Sequence, residues 1–223
     1  LEEGYGINLI PLATFAMDTY GDDPCEEFLP KMTGGAAAMD DKTKRLTSLM
    51  HKAIAVIQFK IEGQLIAKHP EWKMDGRRLF EYVNYEKGTV EIDGKEYKMS
   101  TCHFPTIDPE NPNKLSEEEE VLIQKLHHSF MVCEKLHKHI RTMLQHGCMY
   151  AIFNNNLLFH ASCPLNEDGT LKEVEICPGE KYSGKELMHH TGMQIRTAFQ
   201  QDSDPDEKQY AIDYFLYLWC GPD

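Results

Sequence analysis

The sequence lacks any apolar run that approaches the roughly 20 residues needed to cross a bilayer, and its opening residues, Leu1 to Gly6, lack the pattern of a secretory signal. It also lacks an excess of basic residues, since 36 acidic and 23 basic residues give a formal net charge of −13. Such a charge repels phosphate groups at long range and disfavours binding to nucleic acid or to an anionic membrane. We therefore expect a soluble, cytoplasmic protein.

Several short catalytic motifs are missing as well. The sequence has no G-x-x-x-x-G-K-[ST] loop, no G-x-G-x-x-G, no H-E-x-x-H and no G-x-S-x-G, so nucleotide binding, zinc proteolysis and serine hydrolysis lack their local signatures. Seven scattered cysteines without a C-x-x-C pair suit neither a disulfide framework nor a four-thiolate zinc site. The 223 residues suffice for one substantial core or two small ones.

Apolar residues at three- and four-residue spacing predict several helices. We expect them over residues 7–20, 40–67, 116–147, 183–199 and 206–218. Ser116 with Glu119, and Ser183 with Glu186, have the spacing of a capping box at a helix start. The helix over 116–147 is predicted to bury a continuous apolar stripe, which would include Cys133 and Met143. Small residues at 34–38 predict a mobile connection.

Two antiparallel strand pairs are predicted. Apolar and polar residues alternate over 89–99 on both sides of Asp93-Gly94, a dipeptide that favours a two-residue hairpin turn. Cys148 to Phe153 and Leu157 to Ala161 form a second pair around an asparagine turn. Because these two runs are apolar at consecutive positions, we expect their sheet to be covered on both faces.

The eleven histidines raise the possibility of a metal site. Only Cys133 and His137 combine two soft ligands four residues apart on the long helix. Because Cys133 also lies on the apolar stripe, a core thiol beside a rim imidazole is the favoured interpretation. A mononuclear metal site that uses this pair with other ligands is the alternative.

His160 stands out among the histidines because it ends an apolar strand and precedes the small-residue turn Ala161-Ser162-Cys163-Pro164. Ligand and catalytic side chains of layered α/β proteins collect at such strand ends, where the sheet holds the backbone and the loop leaves the side chain open. A lone histidine specifies no site, so the residues alone favour a structural role about two to one.

Longer stretches of the sequence carry a more specific signal. They are Leu1–Leu9, Ala53–Gln64, Phe104–Pro109, Asn156–Gly169 and Tyr217–Pro222. These stretches resemble the class III fructose-1,6-bisphosphatases, a family of the calcineurin-like metallophosphoesterases, and the resemblance extends over essentially the whole chain.

The resemblance implies a two-metal centre built from Asp-x-His, Gly-Asp-x-x-Asp-Arg, Gly-Asn-His, a strand-end His and a late Gly-His. Only the strand-end His is present, as His160, which would be a ligand of a manganese-type ion, Mn²⁺ being the implied cofactor. The other motifs would lie outside the 223 residues. The resemblance therefore implies an internal piece of a longer enzyme, and this piece alone is expected to be inactive.

For the intact parent, the resemblance implies hydrolysis of the 1-phosphate of fructose 1,6-bisphosphate in gluconeogenesis. A phosphate-binding arginine is expected, and Arg196 on the helix after His160 is the candidate because a guanidinium grips phosphate bidentately. Exposed arginine is the usual state, so the helix surface is the favoured location for Arg196. The small-molecule partner would be a sugar bisphosphate, and a homo-oligomer is possible.

These observations predict an α+β chain. Residues 1–39 would form a core-derived helix and loop, residues 40–146 a largely helical insertion with a β-hairpin, and residues 147–223 part of a layered α/β/β/α metallophosphoesterase core. The alternative function is a non-catalytic module for binding or oligomerisation, with the helical part as the contact region.

Overall fold

A computed structural model describes residues 1–29, 40–160 and 162–220 of the chain. The predicted mobile connection at residues 34–38 lies outside these residues. The helices are α1 (Glu2–Tyr5), α2 (Ile10–Tyr20), α3 (Asp41–Lys68), α4 (Glu117–Met131), α5 (Glu134–His146), α6 (Gly184–Phe199) and α7 (Pro205–Cys220). The strands are β1 (Val83–Asn84), β2 (Thr89–Ile92), β3 (Lys95–Lys98), β4 (Tyr150–Phe153), β5 (Asn156–Phe159), β6 (Val174–Cys177) and β7 (Glu180–Tyr182). Long helices with small antiparallel sheets make this an α+β chain.

The chain divides into two compact units. The N-terminal unit contains Leu1–Lys68 and Asp75–His137, and the C-terminal unit contains His69–Met74 and Lys138–Asp223. This division reflects contacts within the chain. The division into residues 1–39, 40–146 and 147–223 concerns the ancestry of the segments and stays a prediction.

The core of the N-terminal unit is built by α2, α3 and α4. It contains Leu12, Ala16, Tyr20, Cys25, Leu49, Ala53, Ile57, Leu122 and Leu126. Except for Cys25, which lies in the loop after α2, these residues recur at helical spacing in the sequence, which places them on one face of each helix and explains why that face is buried. Ser116 and Glu119 form the predicted capping box at the start of α4, through reciprocal hydrogen bonds.

The predicted hairpin is present in the N-terminal unit. Asp93 and Gly94 adopt φ angles of +51° and +71°, and the turn pairs Ile92 with Lys95. Both central residues of a type I′ turn need positive φ, which explains the preference for Asp-Gly. The short strand β1 adds to β2 and was not predicted.

The predicted single helix over 116–147 is wrong, because α4 ends at Met131 and α5 begins at Glu134. No glycine or proline lies at the break. Contacts with the N-terminal segment flank it instead: the Cys133 thiol donates to the carbonyl of Tyr5 at 3.2 Å, and Lys135 Nζ donates to the carbonyl of Gly4 at 2.7 Å. Tertiary hydrogen bonds thus accompany a helix break that the local helix propensity does not predict.

The predicted burial of the α5 stripe is also wrong. No residue of α5 is buried in the described part of the chain, and Met143 is 70% exposed. The pattern does place the apolar residues on one helix face, but burial also requires a neighbouring element against that face.

In the C-terminal unit, β4 and β5 form the predicted hairpin, in which Asn154 and Asn155 adopt positive φ. Helices α6 and α7 pack on each other, and β6 pairs with β7. Ser183 precedes α6 but makes no capping hydrogen bond with its side chain, so the second predicted capping box is not formed.

The expectation that this hairpin is covered on both faces is wrong for the described residues. Ile152, Phe153 and Leu158 are 58%, 67% and 53% exposed. A consecutive apolar pattern predicts cover on both faces, but the elements described in this chain do not supply that cover. No helix among the described residues is long and apolar enough to span a membrane.

Candidate functional site

His160 follows β5 directly and lies at a cavity of about 170 Å³ in the C-terminal unit. The pairing of Phe159 with Tyr150 holds the backbone just before it. The His160 side chain is exposed, and Ser162 also lines the cavity. The ring is therefore accessible at a strand end, the position that the sequence predicted for it.

The rest of this cavity comes from α6 and α7 and is largely apolar. Its walls include Leu187, Met188, Tyr217 and Leu218. Its polar side chains include buried Thr191 and Tyr214, whose hydroxyl groups hydrogen-bond with each other. Burial raises the pKa of the Tyr214 phenol, so the hydroxyl stays neutral. Such walls suit an apolar or aromatic group better than a phosphate.

The residues around His160 do not make a metal centre by themselves. Among residues 1–29, 40–160 and 162–220, no group of three or more His, Cys, Asp or Glu side chains is arranged to hold a metal ion. A hard cation such as Mn²⁺ takes carboxylate, water and imidazole ligands, and a single imidazole cannot retain it. The donor set of the described residues therefore does not fit a dinuclear site.

Arg196 lies on α6 and lines a second cavity of the C-terminal unit, of about 400 Å³. Its guanidinium donates to the carbonyls of Gly192 and Gly147, at 3.0 Å each. The second contact satisfies a carbonyl just after α5, which is a common role for arginine at a helix end. The structure does not bring Arg196 and His160 to the same cavity.

Cys133 and His137 lie near the start of α5, and the structure brings no third ligand to them within its described residues. The Cys133 thiol is half-buried and is engaged with the carbonyl of Tyr5. These observations agree with the structural interpretation of Cys133 rather than with a mononuclear metal site.

Sequence reasoning missed the one buried histidine. All eleven histidines lie in the described residues, and only His69 is buried, at 6% exposure. Its ring contacts carboxylates on both sides, one of them 144 residues away in the sequence. No local pattern signals such a contact.

Comparison with known proteins gives the family. The family model described as Firmicute fructose-1,6-bisphosphatase matches residues 1–223. Proteins named fructose-1,6-bisphosphatase class 3 from Bacteroides fragilis and Parabacteroides distasonis are each 52% identical over 223 residues, and one from Clostridium novyi is 51% identical. Each match covers all of this chain and 33% of the relative. No solved structure matches the chain.

The chain thus spans about a third of the length of the curated relatives that it matches. Because the family match runs from residue 1 to residue 223, both units are included in it. The chain belongs to the Firmicute fructose-1,6-bisphosphatase family.

Proposed function

We propose that this chain is one part of a fructose-1,6-bisphosphatase that hydrolyses the 1-phosphate of fructose 1,6-bisphosphate to fructose 6-phosphate and phosphate. The observation that carries the proposal is the family match over all 223 residues, together with relatives of that name at 50–52% identity. The whole enzyme would act in the cytoplasm, in gluconeogenesis, on a sugar bisphosphate.

The proposed role of His160 is to supply one imidazole to a two-metal Mn²⁺ centre of the whole enzyme. Its exposure at a strand end beside a cavity supports this role. The carboxylate ligands would come from the part of the enzyme that these 223 residues do not include, because this chain has no suitable cluster in its described residues. When bound, such a centre makes a water molecule acidic enough to act near neutral pH.

The exposed apolar surface of the C-terminal unit supports the same proposal. The hairpin β4–β5 exposes Ile152, Phe153 and Leu158, although consecutive apolar residues are typical of a strand covered on both faces. Such residues on a soluble protein mark a surface that another element covers. Because the relatives are about three times as long as this chain, we propose that their additional residues cover this hairpin.

A second candidate function is a module for oligomerisation without chemistry of its own. Helix α5 favours it, because this amphipathic helix buries none of its residues in the described part of the chain. Met131 and Val132, just before the helix, are 54% and 60% exposed. A second copy of the whole protein could use this face, which would make a homo-oligomer.

The test of the proposed function measures phosphate release from fructose 1,6-bisphosphate with Mn²⁺. We expect no release by the isolated chain above a protein-free control, and turnover by the longer protein that contains it. In the longer protein, His160→Ala should lower kcat at least about 100-fold, as expected for a metal ligand or its immediate support, whereas His51→Ala, at an exposed position of α3, should leave kcat unchanged. Turnover by the isolated chain, or an active His160→Ala enzyme, would contradict the proposal.

A further inference from the structure

His69 is a buried histidine whose two ring nitrogens both face carboxylates. Its Nδ1 lies 2.9 Å from Oε1 of Glu71, and its Nε2 lies 2.9 Å from Oδ2 of Asp213 on α7. Asp213 is also buried. All three residues belong to the C-terminal unit, although the residues on either side of segment 69–74 belong to the N-terminal unit. The contact of His69 with Asp213 thus attaches this short segment to α7.

The hydrogen bonds around the ring show where the protons are. Gln209 Nε2 donates to Oδ1 of Asp213 at 2.7 Å. Trp72 Nε1 donates to the Tyr210 hydroxyl at 3.3 Å, and that hydroxyl hydrogen-bonds with Glu71. Each carboxylate therefore accepts a hydrogen bond from a second donor. Because an imidazole is a stronger base than a carboxylate, a proton shared between the two resides on the ring. A neutral imidazole has one N–H, so both ring contacts are hydrogen bonds only when the imidazole carries two protons.

The aromatic neighbours favour the same charge state. The His69 ring stacks on the Trp72 ring at a centroid distance of 4.1 Å and an angle of 15°, and the Tyr210 ring lies at 5.2 Å. A cation over an indole face is attracted by the negative charge of that face. Burial raises the pKa of the Tyr210 phenol, so Tyr210 stays neutral and can donate.

The remaining charges lie on the Glu71 side of the ring. Glu71 lines a groove of about 260 Å³ together with Lys73, Lys172, Glu173, Glu175 and Lys181. The Cys177 thiol lies near Tyr210. Apart from Glu71, which belongs to the His69 site, the groove holds three lysines and two glutamates, a net charge of +1. Lys73 and Lys181 are exposed, so solvent and salt screen the effect of this charge on a cationic ring.

We propose that His69, Glu71 and Asp213 form a buried proton-binding site that fastens segment 69–74 to α7 while the imidazole carries both protons. When the ring loses one proton, one of the two carboxylates faces a nitrogen lone pair and the attachment weakens. An unfolded histidine loses its proton at about pH 6.5. While the folded ring keeps both protons and the unfolded ring has lost one, the folded chain binds more protons than the unfolded chain, so its stability falls as the pH rises.

The test follows the ring protons by NMR of chain labelled with ¹⁵N-histidine between pH 5.5 and 9. His69→Gln identifies the His69 signals among the eleven histidines. Glu71→Gln is the informative variant, because its amide can donate to an unprotonated Nδ1 and so keeps the contact with a neutral ring. The matched control is Glu173→Gln, which removes the same charge from the same groove.

We expect the wild-type and Glu173→Gln rings to carry both protons at pH 7.5 and the Glu71→Gln ring to carry one. The thermal midpoint of the wild type should fall between pH 6.5 and 9, whereas that of Glu71→Gln should change less. A wild-type ring with a single proton at pH 7.5 overturns the proposal, and this result needs no variant. A Glu71→Gln ring that keeps both protons at pH 7.5 also overturns it, because Glu71 would then not hold the proton.

Discussion

The Nζ atom of Lys60 lies 2.7 Å from Oε2 of Glu119, and neither side chain has solvent-exposed area. Lys60 also donates to the carbonyl of Thr106 at 2.6 Å, and the same Oε2 of Glu119 accepts from the backbone N–H of Ser116 at 2.8 Å. One carboxylate thus completes the capping box of α4 and neutralises a buried lysine of α3. This pair connects the start of α4 to the middle of α3.

Removing one partner of this buried pair should strongly destabilise the chain, because the other charge stays buried without compensation. We expect Lys60→Met and Glu119→Gln each to lower the free energy of unfolding by about 3–5 kcal/mol, and the double variant to lose less than the sum. Urea unfolding measures all three values. Lys42→Met, an exposed position of the same helix, should change the value by less than about 0.5 kcal/mol. Additive losses would show that the two side chains do not interact.

The ion pair between the second buried lysine, Lys52, and Asp23 predicts that the stability of the chain depends on pH. Lys52 Nζ lies 2.5 Å from Oδ2 of Asp23, inside a cage of the Tyr20, Phe28 and Phe104 rings at 5.2–5.7 Å. Burial alone would raise the pKa of the Asp23 carboxyl, but hydrogen bonds from Lys52 and the Cys25 backbone outweigh it and hold the pKa below its ordinary value.

Because the folded pKa of Asp23 is lowered, its contribution to stability is present above the ordinary carboxyl pKa and is lost as the pH falls through the folded value. Unfolding free energies between pH 6 and pH 2 should therefore decrease, and Asp23→Asn should reduce this decrease. Asp18→Asn, at an exposed position of α2, should retain it. An unchanged pH profile for Asp23→Asn would contradict the assignment.

Replacing Gly63 of α3 by alanine should destabilise the chain, although the same exchange usually stabilises a helix. A Cβ atom there would overlap Oδ1 of the buried Asn113, whose Nδ2 donates to Glu81 at 2.7 Å. We expect Gly63→Ala to destabilise by about 1–3 kcal/mol through overpacking, although alanine is the better helix former. In an Asn113→Ala background the same exchange should be neutral or stabilising. Urea unfolding of the four chains checks the sign.

Replacement by alanine should have different effects at Gly94, in the turn between β2 and β3, and at Gly76, which lies outside this turn. Gly94 has a φ of +71°, whereas Gly76 has ordinary φ and no atom within 4 Å of a built Cβ. Gly94→Ala should cost about 1–2 kcal/mol, because a side chain is strained in the left-handed region. Gly76→Ala should remain within about 0.5 kcal/mol of the wild type. Equal losses at the two positions would refute the role of backbone strain.

Much of the fold could be predicted because its signals are local. The Ser116 and Glu119 capping box and the Asp93-Gly94 turn depend on residues at most three positions apart, and both are present. The break before Cys133 could not be predicted, because the contacts beside it come from residues 4 and 5. Ser183 shows the converse, since correct spacing did not produce a capping hydrogen bond.

The candidate site was only partly predictable. The strand end before His160 follows from the apolar run and the turn after it, and the structure places the ring at a cavity. That Tyr214 and Thr191 line the same cavity depends on how α6 and α7 pack, which no short pattern contains. The roles of His160 in metal binding and of Arg196 in phosphate binding stay predictions.

The sequence by itself determined most of the helices, two hairpin turns and the family, because periodicity, turn chemistry and long characteristic stretches are properties of neighbouring residues. Only the tertiary structure decided which apolar faces are buried and which carboxylates meet His69. Burial and ion pairing depend on residues that folding brings together, such as His69 and Asp213, which are 144 positions apart. Such contacts stabilise the chain only after it has packed, so no local sequence pattern predicts them.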